Sequence, residues 1–243
     1  MQTLLHPELV TRLNERFERA APQDVVRWAL TESGLDRVAL VSSFQDEAVA
    51  LIHMAVQVRS DVPVIFLETG FHFAETLAFK EQLTERLGLN IWELTGEETV
   101  ESQAAAYGPR LYETQPNLCC EINKVRPLNA ALRTLDAWLT GLRRDSAPTR
   151  AGTPIVDQYE LEAGKTLVRI SPLANWRKRD VVEYLAEQDL PRHPLYRLGF
   201  ASIGCAPCTR ALFPGEDERA GRWPGAEKVE CGIHLGPAKP ASG

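Results

Sequence analysis

The chain has 243 residues, of which 44% are hydrophobic and 25% charged, as in an ordinary globular protein with one good core. Its net charge of −6 argues against broad nucleic-acid binding, which needs a basic footprint, although local basic clusters survive. No window approaches about 18 uninterrupted apolar residues, and the first residues lack a basic region followed by an apolar one, so neither a membrane span nor a signal peptide is expected.

Residues 8–30 carry apolar positions at helical spacing, broken at Ala21-Pro22, and predict two N-terminal helices. Arg37–Val41 is an apolar run consistent with a buried strand, and it leads through Ser42-Ser43-Phe44-Gln45 into a largely apolar helix from Asp46. Val62–Leu67 reads as a second strand, followed by a helix over 74–87 that stops at Gly88, and Ile91–Leu94 as a third strand. From Glu97 to Leu118 the pattern is weak and polar. Val125–Leu135 reads as a helix, Ala137–Thr140 as a strand, Leu167–Ile170 as a strand and Asp180–Gln188 as a helix. Strands alternating with helices imply right-handed crossovers, a parallel sheet and the α/β class. Beyond Pro191 the periodicity stops, and the remainder, rich in Gly, Pro, Cys and charge, reads as a functional tail.

In an open α/β sheet, ligands bind beyond the carboxyl ends of the strands where the strand order reverses. Three polar loops fall at such ends: Ser42-Ser43-Phe44-Gln45, Glu68-Thr69-Gly70 and Gly141-Leu142-Arg143-Arg144. The first opens a helix whose free N–H groups and positive dipole end favour an anion, although a plain serine cap accounts for the same residues. The paired arginines offer bidentate contacts to phosphate oxygens. Together the three loops point to an anionic ligand.

The five cysteines divide as four plus one. Structural disulfides are rare in the cytosol, the expected compartment, so clustered cysteines lean toward metal or catalysis. Cys119-Cys120 and the C-x-x-C of Cys205 and Cys208, in a turn shaped by Gly204 and Pro207, supply four thiolates. That set suits tetrahedral zinc or an iron–sulfur cluster, and a C-x-x-C alone also suits a dithiol couple. Adjacent cysteines are awkward around one zinc but reach two irons of a larger cluster. Lys124, one helical turn past Cys120, adds a cation. Cys231 is left over, with Lys228 before it and His234 after it. A thiolate is the nucleophilic form and nearby positive groups increase its population, while an incidental tail cysteine is the plain alternative.

Taken together, these residues resemble the assimilatory sulfonucleotide (PAPS/APS) reductases, specifically the iron–sulfur branch that acts on adenylyl sulfate (APS). The resemblance runs from about Val38 to the tail. It rests on Ser42–Gln45, Glu68-Thr69-Gly70-Phe71-His72, Cys119–Lys124, Thr140–Asp145, Ser171–Trp176, Ile203–Arg210, Glu216–Trp223 and Glu230-Cys231-Gly232-Ile233-His234. It implies a Rossmann-like parallel sheet of the adenine nucleotide α-hydrolase type with an irregular C-terminal tail. Residues 1–200 would form the nucleotide-binding domain with half of the cluster site, and 201–243 the segment with the C-x-x-C and the catalytic cysteine. It implies a [4Fe–4S] cluster on Cys119, Cys120, Cys205 and Cys208. Cys231 would attack the sulfur of APS and displace AMP, and thioredoxin or a glutaredoxin-like dithiol would release sulfite from the resulting S-sulfocysteine. The substrate would be contacted by Ser42, Ser43, Phe44, Gln45, Glu68, Thr69 and Gly70 in the nucleotide loops, and by Lys124, Arg143, Arg144, Arg219, Arg222 and His234 nearer the tail.

The chain departs from the family pattern at Glu68, where many members have aspartate, and after Trp223, where Pro224-Gly225-Ala226 replaces further tryptophans. The nearest alternative is reduction of the 3′-phosphorylated nucleotide PAPS, alone or with APS, although members without the cluster cysteines are the ones that prefer it. More remote are a nucleotide-activating ATP pyrophosphatase, whose glycine-rich loop is missing here, and a zinc-stabilised binding module. The oligomeric state, a homo-oligomer included, is left open.

Overall fold

The computed structural model describes residues 5–161 and 164–234. The N-terminal helices are α1 (Pro7–Phe17) and α2 (Pro22–Arg27), the latter running on into a π turn over Trp28–Glu32. Each begins with proline, whose missing N–H costs nothing in a first turn. There follow β1 (Val38–Ser42), α3 (Asp46–Val58), β2 (Pro63–Glu68), α4 (Ala74–Leu87) and β3 (Asn90–Thr95). Gly88 ends α4 at φ 62°, as its position predicts.

The polar stretch after β3, which the periodicity does not assign, holds three short helices: α5 (Val100–Tyr107), α6 (Leu111–Thr114) and α7 (Pro116–Cys120). Each is too short to show a full amphipathic repeat. From α7 the chain continues through a π turn (Glu121–Val125) into α8 (Arg126–Leu132). Pro127 explains the widening. It has no N–H, and its ring crowds the carbonyl one turn back, so the Arg126 N–H reaches to Glu121 O instead.

The remaining elements are β4 (Ala137–Thr140), β5 (Val156–Glu160), β6 (Thr166–Ile170) and α9 (Lys178–Glu187). Among the described residues the sheet runs β3-β2-β1-β4-β6-β5, parallel throughout except for β5. The sequence pattern misses β5 because this antiparallel edge strand is only partly buried and reads as Val-Asp-Gln-Tyr-Glu. Strands β1 and β4 are neighbours although β2 and β3 lie between them in the chain, so the strand order reverses there and a crevice opens beyond their carboxyl ends.

Alternate residues of each strand serve opposite faces. Val38 and Leu40 of β1 and Val64 and Phe66 of β2 join the larger core, with α1 to α4 and α9. Ala39, Val41, Ile65 and Trp138 face the other way, toward Leu128 and Leu132 of α8, with Ile233 from the end of the chain packed against them. Among the described residues no helix is long and apolar enough to cross a membrane.

Beyond Pro191 the described residues form short 3₁₀ turns, at Pro194–Leu198 and Ala206–Cys208, and one isolated antiparallel bridge between Thr209 and Arg222. His193 ties this region to α4. Its Nδ1 accepts the Leu195 N–H (3.2 Å), so its other nitrogen carries the proton toward the Thr76 hydroxyl (3.0 Å). Burial pushes the His193 pKa down to about 4. The unfolded chain therefore takes up a proton near pH 6.5 that the folded chain refuses. The His193 contribution should reduce stability as the pH falls from about 6.5 toward 4, and urea midpoints for His193→Gln should lose that part of the slope.

Candidate active site

The crevice at the β1/β4 reversal is a pocket with an empty volume of about 1140 Å³. Its walls come from the loops after β1, β2 and β4, from the α7–α8 turn and from the C-terminal segment. The charged side chains lining it are Lys124, Arg143, Arg150, Arg219 and Arg222 against Glu47 and Glu218, an excess of positive charge in an acidic protein.

The loop after β1 turns sharply, with the Phe44 N–H donating to Ser42 Oγ (3.0 Å). Ser42, Ser43 and Gln45 line the crevice; Phe44 does not. At φ 54° its ring points beneath the loop, fully buried against Phe66. Phe44 is thus the floor of the loop rather than a ligand contact. Gln45 spans the crevice: its Nε2 donates to Ser43 Oγ (2.9 Å) and its Oε1 accepts the Ile203 N–H (2.7 Å). The positive end of α3, expected to favour an anion, already has Asp46 and Glu47 in its first turn.

Arg143 is completely buried among carboxylates. It bonds Glu47 (3.0 Å), Asp145, and Glu218 through both oxygens (2.8 and 2.9 Å). Burial alone would lower its pKa, and the carboxylates raise it instead. Burial would likewise raise the Glu47 pKa, but Lys178 and Arg143 hold it down; Glu218, with burial dominant, is raised. Arg143 therefore joins three chain segments and has little donor capacity left. Arg144 does not face the crevice. It holds Glu18, Asn175 Oδ1 (2.5 Å) and the Thr153 carbonyl (2.7 Å), fastening α1 to the sheet edge. Glu68 curls back to accept the Gly70 N–H (2.7 Å), and Glu68, Thr69 and Gly70 lie outside the crevice lining, to which their loop contributes His72. The longer carboxylate thus closes its own turn.

Thr69 instead lines a second pocket beside the crevice, with an empty volume of about 350 Å³, and its hydroxyl lies 3.4 Å from Cys205 Sγ. All four paired cysteines line this pocket, along with Phe71, Tyr112, Trp223, Lys124 and Arg222. The four are buried free thiols. Burial and the neighbouring thiols push Cys119 up to about 11 and Cys208 up to about 12; burial also raises Cys120. Burial would raise Cys205 too, but Lys124 and Thr69 bring it down. Four thiolates this close need positive charge among them, and sulfur-only donors suit a soft metal group. Among the described residues no three His, Cys, Asp or Glu side chains are gathered as the shell of one ion. Around Cys119, Asn123 Nδ2 donates to its carbonyl (2.9 Å) and lies 3.6 Å from its sulfur, while pairing with Gln103 (2.8 and 2.9 Å).

Cys231, Lys124 and Arg222 connect the two pockets. Cys231 lines the crevice and packs on the group formed by Cys120, Cys205, Cys208 and Trp223; Lys124 and Arg222 line both. Arg222 lies over the Trp223 ring (4.5 Å) and passes Gly204 so closely that any Cβ there would collide with its guanidinium. Trp223 is buried with Arg219 and Lys228 also against its ring, so one tryptophan suffices to dock this stretch. His234 stacks on Trp138 (5.8 Å, 4°), and burial with the nearby arginines keeps it neutral. Arg222 Nε and His234 Nδ1 are buried with no protein partner among the described residues. Such orphaned groups at a cavity wall favour a polar ligand.

The sequence reading missed Arg150 and His72, both of which line the crevice. Arg150 sits in a Pro-containing loop without periodicity, and only its spatial partner, Glu230, gives it meaning. His72 was visible in the Glu68–His72 stretch; its Nε2 donates to Leu67 O (2.8 Å) and its ring stacks on Phe66. Arg143→Met should lower stability by about 3–5 kcal/mol in denaturant unfolding, because it removes the buried cation shared by three carboxylates and leaves Glu218 without its partner, while Glu47 keeps Lys178. Glu218→Gln, removing the partner that retains more solvent contact than Glu47, should cost less.

The model of the phosphoadenosine phosphosulfate reductase domain matches residues 37–211, most of the crevice and both cysteine pairs. An adenosine 5′-phosphosulfate reductase of Streptomyces coelicolor is 44% identical over 226 residues, 93% of each chain. A phosphoadenosine 5′-phosphosulfate reductase of Gloeobacter violaceus is 42% identical over 225 residues, covering 91% of this chain and 92% of that one. Among solved structures, a phosphoadenylyl-sulfate reductase of Candida auris in a phosphate complex superposes with a TM-score of 0.73 at 26% identity, covering 87% of this chain and all of the other. With crevice, cysteine pockets and sequence in agreement, the chain belongs to the phosphoadenosine phosphosulfate reductase family.

Proposed function

We propose that this chain reduces adenylyl sulfate to sulfite and AMP, with electrons from a thioredoxin-like dithiol, as a cytosolic step of sulfate assimilation. One observation carries the reading: Cys231, the cysteine outside the two pairs, lines the anion-binding crevice beside Lys124 and Arg222. The cations matter because the sulfonate and the attacking thiolate repel each other until positive charge screens them.

In the first step the Cys231 thiolate attacks the sulfur of APS. An S–S bond forms, the bond from sulfur to the bridging oxygen breaks, and AMP leaves with the electron pair. In the second step a partner thiolate attacks Cys231 Sγ and expels sulfite; its second thiol then resolves the mixed disulfide, freeing Cys231. Two electrons pass from the dithiol to sulfur, and the dithiol becomes a disulfide. Lys124 and Arg222 screen the sulfonate, Arg150 and Arg219 carry the adjoining positive charge, and Ser42, Ser43 and Gln45 offer polar contacts to the nucleotide. Residues 201–234 act as the closing segment of the nucleotide-binding domain.

Cys119, Cys120, Cys205 and Cys208 would hold a [4Fe–4S] cluster. When bound, it would supply charge and rigidity beside Lys124 and need not change oxidation state. Four thiols in a pocket lined, among the described residues, by no histidine or carboxylate favour this group over a mixed-ligand zinc site.

Anaerobically purified protein is expected to be brown, with iron and sulfide, and to release sulfite from APS with thioredoxin. Cys231→Ser should lose sulfite release by at least about 10³-fold while keeping the colour, since it removes the nucleophile and leaves the four ligands. Any of the four other cysteines changed to serine should lose iron. Zinc in place of iron, or undiminished activity of Cys231→Ser, would refute the respective assignment. Because one relative is named for the 3′-phosphorylated nucleotide, rates on APS and PAPS should be compared directly; APS is expected to be the faster.

A further inference from the structure

The residue just before the reactive cysteine is a buried carboxylate gripped by two crevice arginines. Glu230 is 8% exposed. It accepts a bidentate pair from Arg150, at 2.8 Å from Nε and 2.8 Å from Nη2. Arg219 Nη2 adds a third bond (3.2 Å) and the Thr149 hydroxyl a fourth (3.3 Å). The same Arg219 nitrogen donates to the Val229 carbonyl (3.0 Å), so two consecutive residues are held immediately before Cys231. Burial would raise the Glu230 pKa, but Arg150 and Arg219 bring it below the ordinary carboxylate value.

The charge balance is specific. Arg150 and Arg219 both line the crevice and share one carboxylate, so the trio presents one net positive charge to an anionic ligand instead of two. A bidentate guanidinium–carboxylate pair fixes plane as well as distance, which a single contact does not. On the near side of Cys231 Val229 is 61% exposed, so Glu230 carries the hold there; beyond Gly232 (φ 95°) the chain is held separately, by His234 stacked on Trp138 and by Arg169 donating to the His234 carbonyl (2.6 Å).

We propose that Glu230 is a positioning residue: its pair with Arg150 docks the tail, sets the Cys231 thiol at the crevice and fixes the two guanidinium planes that the substrate meets. The kinetic part rests on the APS-reductase reading; the docking part does not.

Two measurements separate them. In nucleotide-free protein, alkylation of Cys231 by iodoacetamide, followed peptide by peptide by mass spectrometry, should run about tenfold faster in Glu230→Gln and in Arg150→Lys than in the parent. Arg150→Lys conserves charge, so its acceleration reports undocking and not a change in thiolate population. The double variant should add little, as expected for two halves of one contact. In sulfite release, Glu230→Gln should lower kcat by about 10²-fold while KM for APS stays within about threefold, the signature of a misplaced nucleophile. Unchanged alkylation in both variants, with melting temperatures intact, overturns the docking role. A loss expressed in KM alone overturns the positioning role and makes Glu230 a tuner of substrate binding. If the parent releases no sulfite from APS or PAPS, the functional reading fails while the alkylation result still decides the docking.

Discussion

Ion pairing at the carboxyl edge of the sheet holds the C-terminal segment over the crevice. That segment has short 3₁₀ turns and few apolar residues, so burial alone would not fix it. Arg143 reaches Glu218, and Arg150 reaches Glu230, each across more than seventy residues of chain and each with at least two hydrogen bonds. The arginines come from the loops after β4, and the carboxylates come from the tail. Gln45 adds a third tie through the Ile203 amide, and Trp223 provides the apolar anchor. Buried pairs of this kind seldom add much net stability, because desolvation consumes the Coulomb gain, but they penalise every alternative placement of the tail.

The same pairing sets the electrostatics of the crevice. Its positive charge is partly consumed by the protein's own carboxylates: Arg143 by three, Arg150 and Arg219 by one between them. What remains unspent is concentrated at Lys124 and Arg222, which also line the cysteine pocket. Lys124 is held charged despite burial because Cys205, Cys120 and Cys231 surround it. A cation in that position faces sulfur on one side and the positively lined crevice on the other. On the proposed reading, that arrangement places screening charge where the Cys231 thiolate would approach the negative oxygens of the sulfonate.

Five residues of one type thus divide into two roles by environment. Four thiols are buried together, where burial and their neighbours disfavour ionising them jointly, the condition in which a metal group stabilises the thiolates. Cys231 is only partly buried and opens on the crevice. Cys231 and the paired cysteines are neighbours, brought together from three separate stretches of the chain.

Much of this was legible in the residues themselves. Central parallel strands are buried on both faces, so β1, β2, β4 and β6 appear as apolar runs, and the helices between them follow from the 3.6-residue period. The four paired cysteines and the late Glu-Cys-Gly-Ile-His carry the specific part of the family resemblance; the serine loop by itself does not. Side-chain direction and long-range pairing lay beyond it. Phe44 belongs to the loop but turns into the core, because its positive φ aims the ring at Phe66. Arg143 and Arg144 are adjacent in sequence, yet one is buried in the crevice wall and the other ties down α1, because Arg143 is extended while Arg144 opens the 3₁₀ turn Arg144–Ser146 and turns away. The edge strand β5 and the partners Arg150 and Glu230 exist as features only once the sheet is assembled. Local chemistry and periodicity determined the fold class and the thiol inventory; tertiary structure decided which cations remain free, because charges distant in sequence neutralise one another only when folding brings them within hydrogen-bond reach.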